Sequence, residues 1–401
     1  MYDQLAGALS ALDPADAAYA SRFVDTLLAA GRKSGASDLH LQPTPAGLEL
    51  RWRVDGVLVA LGTYPSGVAA NCIARLKVLA DLLTYRNDLP QEGRIRTTDA
   101  DVEVRVSTFP TLYGERAVVR LFSNKLQYRD LGELGLHDEI LAALRRLLAE
   151  TSGAILLTGP AGSGKTTTLY ACLHHLVNHS HGARSIVTLE DPIEMAIAGV
   201  AQSQVNANAG FDLATGLRSV LRQDPEVIMI GEIRDRATAE VALQASLTGQ
   251  LVLSSFHAGS AAEAIGRLLD MGIEPYVLRS GVLAIIFQRL VRKLCPCARP
   301  ARGDEELLGL QVQQARVAVG CPSCALTGYS GRTILAEMLL LDQSALAQAI
   351  LARSDVAKLE QLAVEGGMVD RWSRAARAVE AGITSPAEVR RVLGFSRDSP
   401  Y

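Results

Sequence analysis

Lysine is scarce in this chain: of 40 basic residues in 401, only six are lysine. The formal net charge is −3, so there is no surplus of positive charge to attract nucleic acid. Aromatic residues make up 5% and form no basic, aromatic-interleaved segment of the kind that stacks on bases. No basic-then-apolar segment opens the sequence, which argues against a secretory signal. No apolar run approaches the ~20 residues needed to cross a bilayer. The longest, Gly281 to Phe287, is ended by Gln288-Arg289. Six cysteines are too few for a secreted disulfide framework, and four of them cluster, which points to a metal. What remains is a cytosolic globular chain, 48% hydrophobic and 21% charged, long enough for two or three domains.

Against that background one of the rare lysines is conspicuous. The apolar run Ala154-Ile-Leu-Leu-Thr158 reads as a strand and leads directly into Gly159-Pro160-Ala161-Gly162-Ser163-Gly164-Lys165-Thr166, followed by Thr167. This is the phosphate-binding pattern GxxxxGK[ST] in its strand-to-helix setting. The glycines let backbone N–H groups curl around phosphate oxygens, Lys165 supplies charge for the β- and γ-phosphates, and the Thr166 hydroxyl can hold magnesium. The pattern predicts a nucleoside triphosphate site spanning 159–167.

The segment before this loop is rich in strands. Leu48 to Val54 alternates apolar and polar and turns at Asp55-Gly56; Val102 to Val106 and Arg116 to Leu121 continue the pattern, with a helix expected from Ala69 to Leu83. The result is a small α+β domain with an arginine-rich sheet face, Arg51, Arg53 and Arg105. Ser123 to Glu133 is polar and aperiodic, as a linker would be. From Leu134 strands alternate with helices, the signature of a parallel sheet. Ser185–Leu189 ends at Glu190-Asp191, Glu226–Ile230 at Gly231-Glu232, and Gln250–Ser254 leads to Phe256-His257. Ligands bind beyond the carboxyl ends of parallel strands, so a phosphate loop, three carboxylates and a histidine are expected at one sheet edge. Beyond Leu290 a cysteine-bearing insertion runs to about Arg332, and the remainder reads as helical. Its last helix begins at Ser385-Pro386-Ala387-Glu388, an N-cap serine, a first-turn proline and the glutamate of a capping box.

Phosphate-loop hydrolysis needs magnesium, an oriented water and positive charge on the transferring group. Glu232 sits where an acidic residue would support magnesium or polarise the water. Glu190 and Asp191 are the other carboxylates within reach, one of them a general base; the alternative for Asp191 is to cap the turn at Pro192. His257 could donate to the γ-phosphate or be a satisfied residue at a strand end. Arg218 and Arg222 share a face of a helix expected over Asp212–Arg222, where a solvated face or an ion pair with Asp224 competes with nucleotide contact. Arg234 and Asp235 could pair locally. Cys295-Pro-Cys297 and Cys321-Pro-Ser-Cys324 look like two knuckles of a closed, structural zinc site, the first one residue short of the usual spacing. Cys72 and Cys172 read as small buried hydrophobes. His174, His175, His179 and His181 lack convergent carboxylates and read as residues on and just past a helix surface.

Taken together, these residues resemble the traffic ATPases of type II secretion and type IV pilus assembly, over about Ala36 to Gly394. Gly35-Ala-Ser-Asp-Leu-His-Leu41, Arg53-Val-Asp-Gly-Val57, Pro90-Gln-Glu-Gly-Arg94 and Val104-Arg-Val-Ser-Thr108 are similar to that family's N-terminal domain. Thr188-Leu-Glu-Asp-Pro-Ile-Glu194 resembles its aspartate box, and Leu221 to Asp235 its Walker B stretch. Thr248 to His257 resembles its histidine box, with Gln250 where the first histidine usually stands. The resemblance implies a homo-hexameric ring with ATP and magnesium between the N-terminal domain and a RecA-like core. Within it Glu190 is the base and Glu232, with Thr166, supports magnesium. Arg105 and Arg120 match the arginines that approach the nucleotide. It further implies a cytoplasmic motor peripheral to the inner face of the cytoplasmic membrane, driving a platform protein that adds pilin-like subunits to a fibre. The cysteine insertion resembles assembly rather than retraction members. Only about thirty residues precede the matching region, so the extra N-terminal domain of many members is expected to be missing.

The expectation is therefore an α/β protein. A PAS-like α+β domain covers 1–122 and a linker 123–133; a RecA-like phosphate-loop core covers 134–289. A tetracysteine insertion, 290–333, and a helical region, 334–401, complete it. ATP, magnesium and zinc are the expected cofactors. Two other readings stay open beside the secretion or pilus motor: a nucleic-acid translocase on the same core, and a nucleotide-binding scaffold that regulates a paralogous motor.

Overall fold

Period-two alternation builds the N-terminal part of the chain. In the computed structural model, which describes residues 2–96, 102–123, 130–341 and 344–395, Leu48, Leu50 and Trp52 point into the core while Glu49, Arg51 and Arg53 face outward. The chain divides into two compact units, the first built on Met1–Leu126 with Cys321–Leu326 and the second on Gln127–Gly320 and Thr327–Tyr401. Most of the expected linker 123–133 lies outside the described residues.

In the first unit α1 (Tyr2–Ser10) and α2 (Tyr19–Ser34) precede β1 (Asp38–Thr44), β2 (Gly47–Val54) and β3 (Val57–Tyr64). Then come α3 (Ala69–Leu79), β4 (Gln91–Ile95), β5 (Val102–Thr111) and β6 (Gly114–Ser123). The strands form one antiparallel sheet in the order β3-β2-β1-β6-β5-β4. α2 buries Phe23, Val24, Leu27 and Leu28, positions spaced for one helical face. They join Trp52, Leu39, Leu41, Val104, Val106 and Val119 in a single core. The turn at Asp55-Gly56 has positive φ at both residues, 48° and 81°, the two-residue hairpin geometry that matches strand twist. α3 stops four residues earlier than its expected end at Leu83, because Asp81 turns left-handed, φ 56°.

On the sheet's outer face the register sets Arg94 opposite Arg105, Arg105 opposite Arg120, Arg120 opposite Asp38 and Asp38 opposite Arg53. Asp38, 5% exposed, accepts from Arg120 at 2.8 Å and lies 3.5 Å from Arg53. Its burial would raise the carboxyl pKa, but hydrogen bonds from Arg120 and Ser37 outweigh burial and hold it below the ordinary range.

The second unit opens with α4 (Asp138–Leu148), β7 (Gly153–Thr158), α5 (Lys165–Ser180), β8 (Ile186–Glu190) and β9 (Ala201–Gln204). Next are α6 (Leu213–Val220), β10 (Val227–Ile230), α7 (Arg236–Leu247), β11 (Leu251–Phe256), α8 (Ala261–Asp270) and α9 (Pro275–Gly281). The strands β12 (Val282–Leu294), β13 (Arg299–Pro300), β14 (Arg316–Val317) and β15 (Tyr329–Leu340) follow. The last helices are α10 (Ser344–Leu351), α11 (Val356–Glu365), α12 (Arg371–Glu380) and α13 (Pro386–Leu393). The main sheet runs β15-β12-β7-β11-β10-β8-β9, parallel except for β15. Every residue of β7, β10 and β11 is buried, as expected of strands covered on both faces. The four expected strands are all present, with ends within two residues of those read from the sequence.

Three further strands differ from the sequence reading. β9 is a short, half-exposed edge. β12 begins in the apolar run Gly281–Phe287 and continues through Gln288 and Arg289 to Leu294. β15 occupies residues expected to belong partly to a helical remainder and pairs with β12 from Ala284↔Leu340 to Leu294↔Tyr329. The sheet therefore crosses both ends of the cysteine-bearing segment. At α13 the cap is as expected at Ser385, which accepts from the Glu388 amide. The Glu388 carboxylate, however, is turned to Arg292 and Arg391.

Candidate functional site

Where β7 ends, the chain must turn tightly and bring its amides to one point. Gly159, Gly162 and Gly164 take φ values of 140°, 72° and 91°, a region costly for other residues. A side chain at Gly159 would also place a Cβ 2.4 Å from the Gln288 carbonyl oxygen. α5 then starts at Lys165, so the loop lies at a helix N-terminus, where backbone N–H groups and the helix dipole favour anions. Lys165 is 8% exposed, and its Nζ donates to the carbonyls of Gly159 (2.7 Å) and Pro160 (3.0 Å). Burial pushes its pKa down, and the Glu232 carboxylate opposes that shift.

The cavity over the loop has a volume of about 460 Å³. Ala161 to Thr167 form its floor, and Tyr170, Glu190, Asp191, Glu232, Arg234 and His257 line its sides. The carboxyl ends of β7, β8, β10 and β11 thus deliver the loop, the carboxylates and the histidine to one place. Thr166 is exposed to the cavity and Glu232 borders it, two hard oxygen donors of the type magnesium takes.

Glu190 is 3% exposed and held from three directions. Thr188 Oγ1 donates to it at 2.6 Å, Gln202 Nε2 at 3.1 Å, and the Tyr170 hydroxyl to its other oxygen. Glu232 meets His257 Nε2 at 2.5 Å and Arg234 Nε at 2.5 Å. His257 Nδ1 lies 3.1 Å from the Gly159 carbonyl. Both ring nitrogens face oxygen acceptors, so both bonds form together only when each nitrogen carries a hydrogen. Arg234 also lies 3.8 Å from Asp191, while Asp235 accepts from Thr238 as the N-cap of α7. The local Arg234–Asp235 pairing is therefore replaced by these partners.

Several expectations fall elsewhere. α6 ends at Val220, so Arg222 lies beyond it; Arg218 and Arg222 are exposed and neither lines the cavity. Gln250 precedes β11, at the opposite end of that strand from His257, and bonds the Thr248 hydroxyl at 3.0 Å. The substitution at this position is thus remote from the phosphate loop. Arg105 and Arg120 lie in the first unit, where with Arg94, Glu92, Ser107 and Val118 they line a groove of about 640 Å³.

Cys295, Cys297, Cys321 and Cys324 bring four sulfur atoms within 4.8 Å of one another, contracted first pair included. The Cys321 and Cys324 sulfurs are 3.7 Å apart, close to the ~3.8 Å edge of a tetrahedron with 2.3 Å Zn–S bonds. Among the described residues, this is the group able to hold a metal ion; the histidines of α5 form none. Burial pushes the thiols of Cys72 and Cys172 up to about 12, consistent with inert core residues.

Sequence reasoning missed Tyr170, Thr188, Gln202 and Gln288. Gln288 is fully buried; its Nε2 donates to the Ser163 carbonyl at 2.9 Å and its Oε1 accepts from Thr168 at 3.1 Å. Tyr170 carried a readable signal, lying four residues after Thr166 and so on the same helix face.

The sequence profile of the family described as "Type II/IV secretion system protein" matches residues 13–391. The type II secretion system protein E of Klebsiella pneumoniae is 43% identical over 391 residues, covering 95% of this chain and 77% of that protein. The type II secretion system ATPase E of Vibrio cholerae is 43% identical over 342 residues, covering 83% and 67%. Among solved structures, the ATPase DotB of Legionella pneumophila superposes with a TM-score of 0.67 at 22% identity, covering 92% of this chain and 95% of that one. The pilus retraction motor PilT gives 0.59 at 23%, covering 91% and 95%. Those two likenesses establish the fold alone.

Proposed function

This chain belongs to the type II/IV secretion system protein family, and from that premise we propose how its site works as an ATP-hydrolysing motor for fibre assembly. The observation that carries the reading is the convergence of Lys165, Glu190, Glu232 and His257 around one cavity at the carboxyl ends of four parallel strands. The amides of 159–167 and the Lys165 ammonium hold the triphosphate. Glu190 takes a proton from the attacking water, whose oxygen bonds to the γ-phosphorus as the bond to the ADP oxygen breaks. Glu232 fixes His257 and, with Thr166, would hold magnesium, which would supply positive charge to the transferring phosphoryl group. Arg105 and Arg120 are the arginines assigned to the nucleotide from the N-terminal unit.

The motor acts as a homo-hexamer at the cytoplasmic face of the inner membrane, pushing on a platform protein to insert pilin-like subunits. Its place there comes through partners; among the described residues no helix is long and apolar enough to cross a membrane. The four cysteines, whose sulfur atoms lie within 4.8 Å of one another, would hold a structural zinc. Their presence favours assembly over retraction.

Hydrolysis per subunit, followed as protein concentration rises, tests this reading. Wild type should gain specific activity as rings form, and Lys165→Ala should lose at least about 100-fold at every concentration. A Lys165→Ala rate equal to wild type would remove the phosphate-loop mechanism; a flat wild-type rate would remove dependence on assembly.

A further inference from the structure

Glu190 is anchored unevenly. Its Oε1 accepts two hydrogen bonds, from Thr188 Oγ1 and Gln202 Nε2, whereas Tyr170 is the donor to Oε2. The direction of the Tyr170 bond follows from its other partners. The phenolic oxygen accepts from the backbone N–H of Glu194 at 3.1 Å and of Met195 at 3.4 Å, which leaves its own hydrogen for the carboxylate. Tyr170 is 3% exposed. Burial first, and then the adjoining carboxylate, raise its pKa above the ordinary value, in keeping with a phenol that retains its hydrogen.

The hydroxyl therefore ties together three parts of the site. Its ring stands on α5 one turn after Thr166, its hydrogen meets the end of β8, and its lone pairs hold the segment that follows Pro192. A carboxylate's terminal torsion is broad and weakly preferred by itself. With only Oε1 anchored, Oε2 would be free to swing.

We propose that Tyr170 is the positioning residue for Glu190, fixing the carboxylate against the helix that carries the phosphate loop so that one oxygen is aimed at the attacking water. The proposal rests on the reading of Glu190 as the base. Tyr170 touches neither nucleotide nor water in this role; it acts through Glu190. Misplacing a reacting group by about 1 Å costs on the order of 10²-fold in rate.

The test is steady-state ATP hydrolysis by the full chain in four forms: wild type, Tyr170→Phe, Glu190→Gln and the double variant. The expected result is a kcat for Tyr170→Phe lowered by about 10- to 100-fold, with the KM for ATP within about twofold of wild type. In the Glu190→Gln background the same change should have no further effect, because its route of action is already gone. A kcat for Tyr170→Phe within twofold of wild type overturns the proposal. So does a double variant much slower than Glu190→Gln, or a loss confined to KM, since either gives Tyr170 a role independent of the carboxylate. Wild-type kcat in Glu190→Gln would instead overturn the assignment of the base. Should Tyr170→Phe fail to fold, 4-fluorophenylalanine at position 170 fills the space of the hydroxyl while leaving no hydrogen to donate to Glu190. A lowered kcat at unchanged KM then supports the proposal, and an unchanged kcat overturns it.

Discussion

Gln288 is a polar side chain where the packing of a parallel sheet would ordinarily place an apolar one. It is fully buried, yet both ends of its amide are engaged, one by the phosphate loop and the other by α5. Replacing it with leucine keeps the approximate volume but leaves the Ser163 carbonyl and the Thr168 hydroxyl without this partner, each at about 1–3 kcal/mol. Gln288→Leu is expected to weaken ADP binding by about 10-fold or more, in a titration with a fluorescent ADP analogue. Affinity equal to wild type would mean the loop holds its shape unaided. Such residues explain what the sequence could not show. The loop itself was legible because its requirements are local: glycines at constrained backbone positions, a strand before and a helix after. Gln288 and Gln202 act on residues 120–125 and 12 positions away, and a glutamine carries no mark of its partner. Glu388 makes the same point in reverse. Its spacing from Ser385 suggests a capping box, but Arg292, 96 positions away in sequence, claims the carboxylate.

At the level of elements, helix starts were the readable feature and long strands the obscure one. Asp370 caps α12, accepting from the amides of Trp372 (2.7 Å) and Ser373 (3.0 Å). Burial would raise its pKa, but the Ser373 hydroxyl and these amides more than compensate, and the group lies below its ordinary 3.8. A carboxyl depressed by folding contributes stability above its unfolded pKa and loses it as pH falls through the folded value. Asp370→Ala should therefore cost about 1 kcal/mol at pH 7 and progressively less below about pH 4. Urea unfolding read by the fluorescence of Trp372, in the first turn of the helix, in a Trp52→Phe background measures both; a penalty that does not shrink in acid would contradict the sign. β12 and β15 were obscured for a different reason. Their apolar halves resemble a short core segment and their polar halves a surface, so neither reads as one strand of 13 or 12 residues. Only their pairing makes them continuous, and pairing is a long-range property.

On the scale of the whole molecule, the cysteine group and the phosphate loop lie toward different parts of one long strand. A chelator should release one zinc per chain, followed by a colorimetric dye, and should lower the melting temperature. ADP binding should survive at temperatures where the chain stays folded. No metal in freshly purified protein, or none lost on chelation, would remove zinc from the account. β12 itself imposes a rule of odd and even. Gln288 and Leu290 face the phosphate loop, whereas Arg289 reaches the Val392 carbonyl and Val291 packs with Val389 and Val392. Because successive residues alternate sides, one residue added to β12 ahead of Gln288 would exchange these two sets of positions, leaving an apolar or charged side chain beneath the loop. Two added residues would restore the alternation. Along β12 length is therefore constrained to change by pairs.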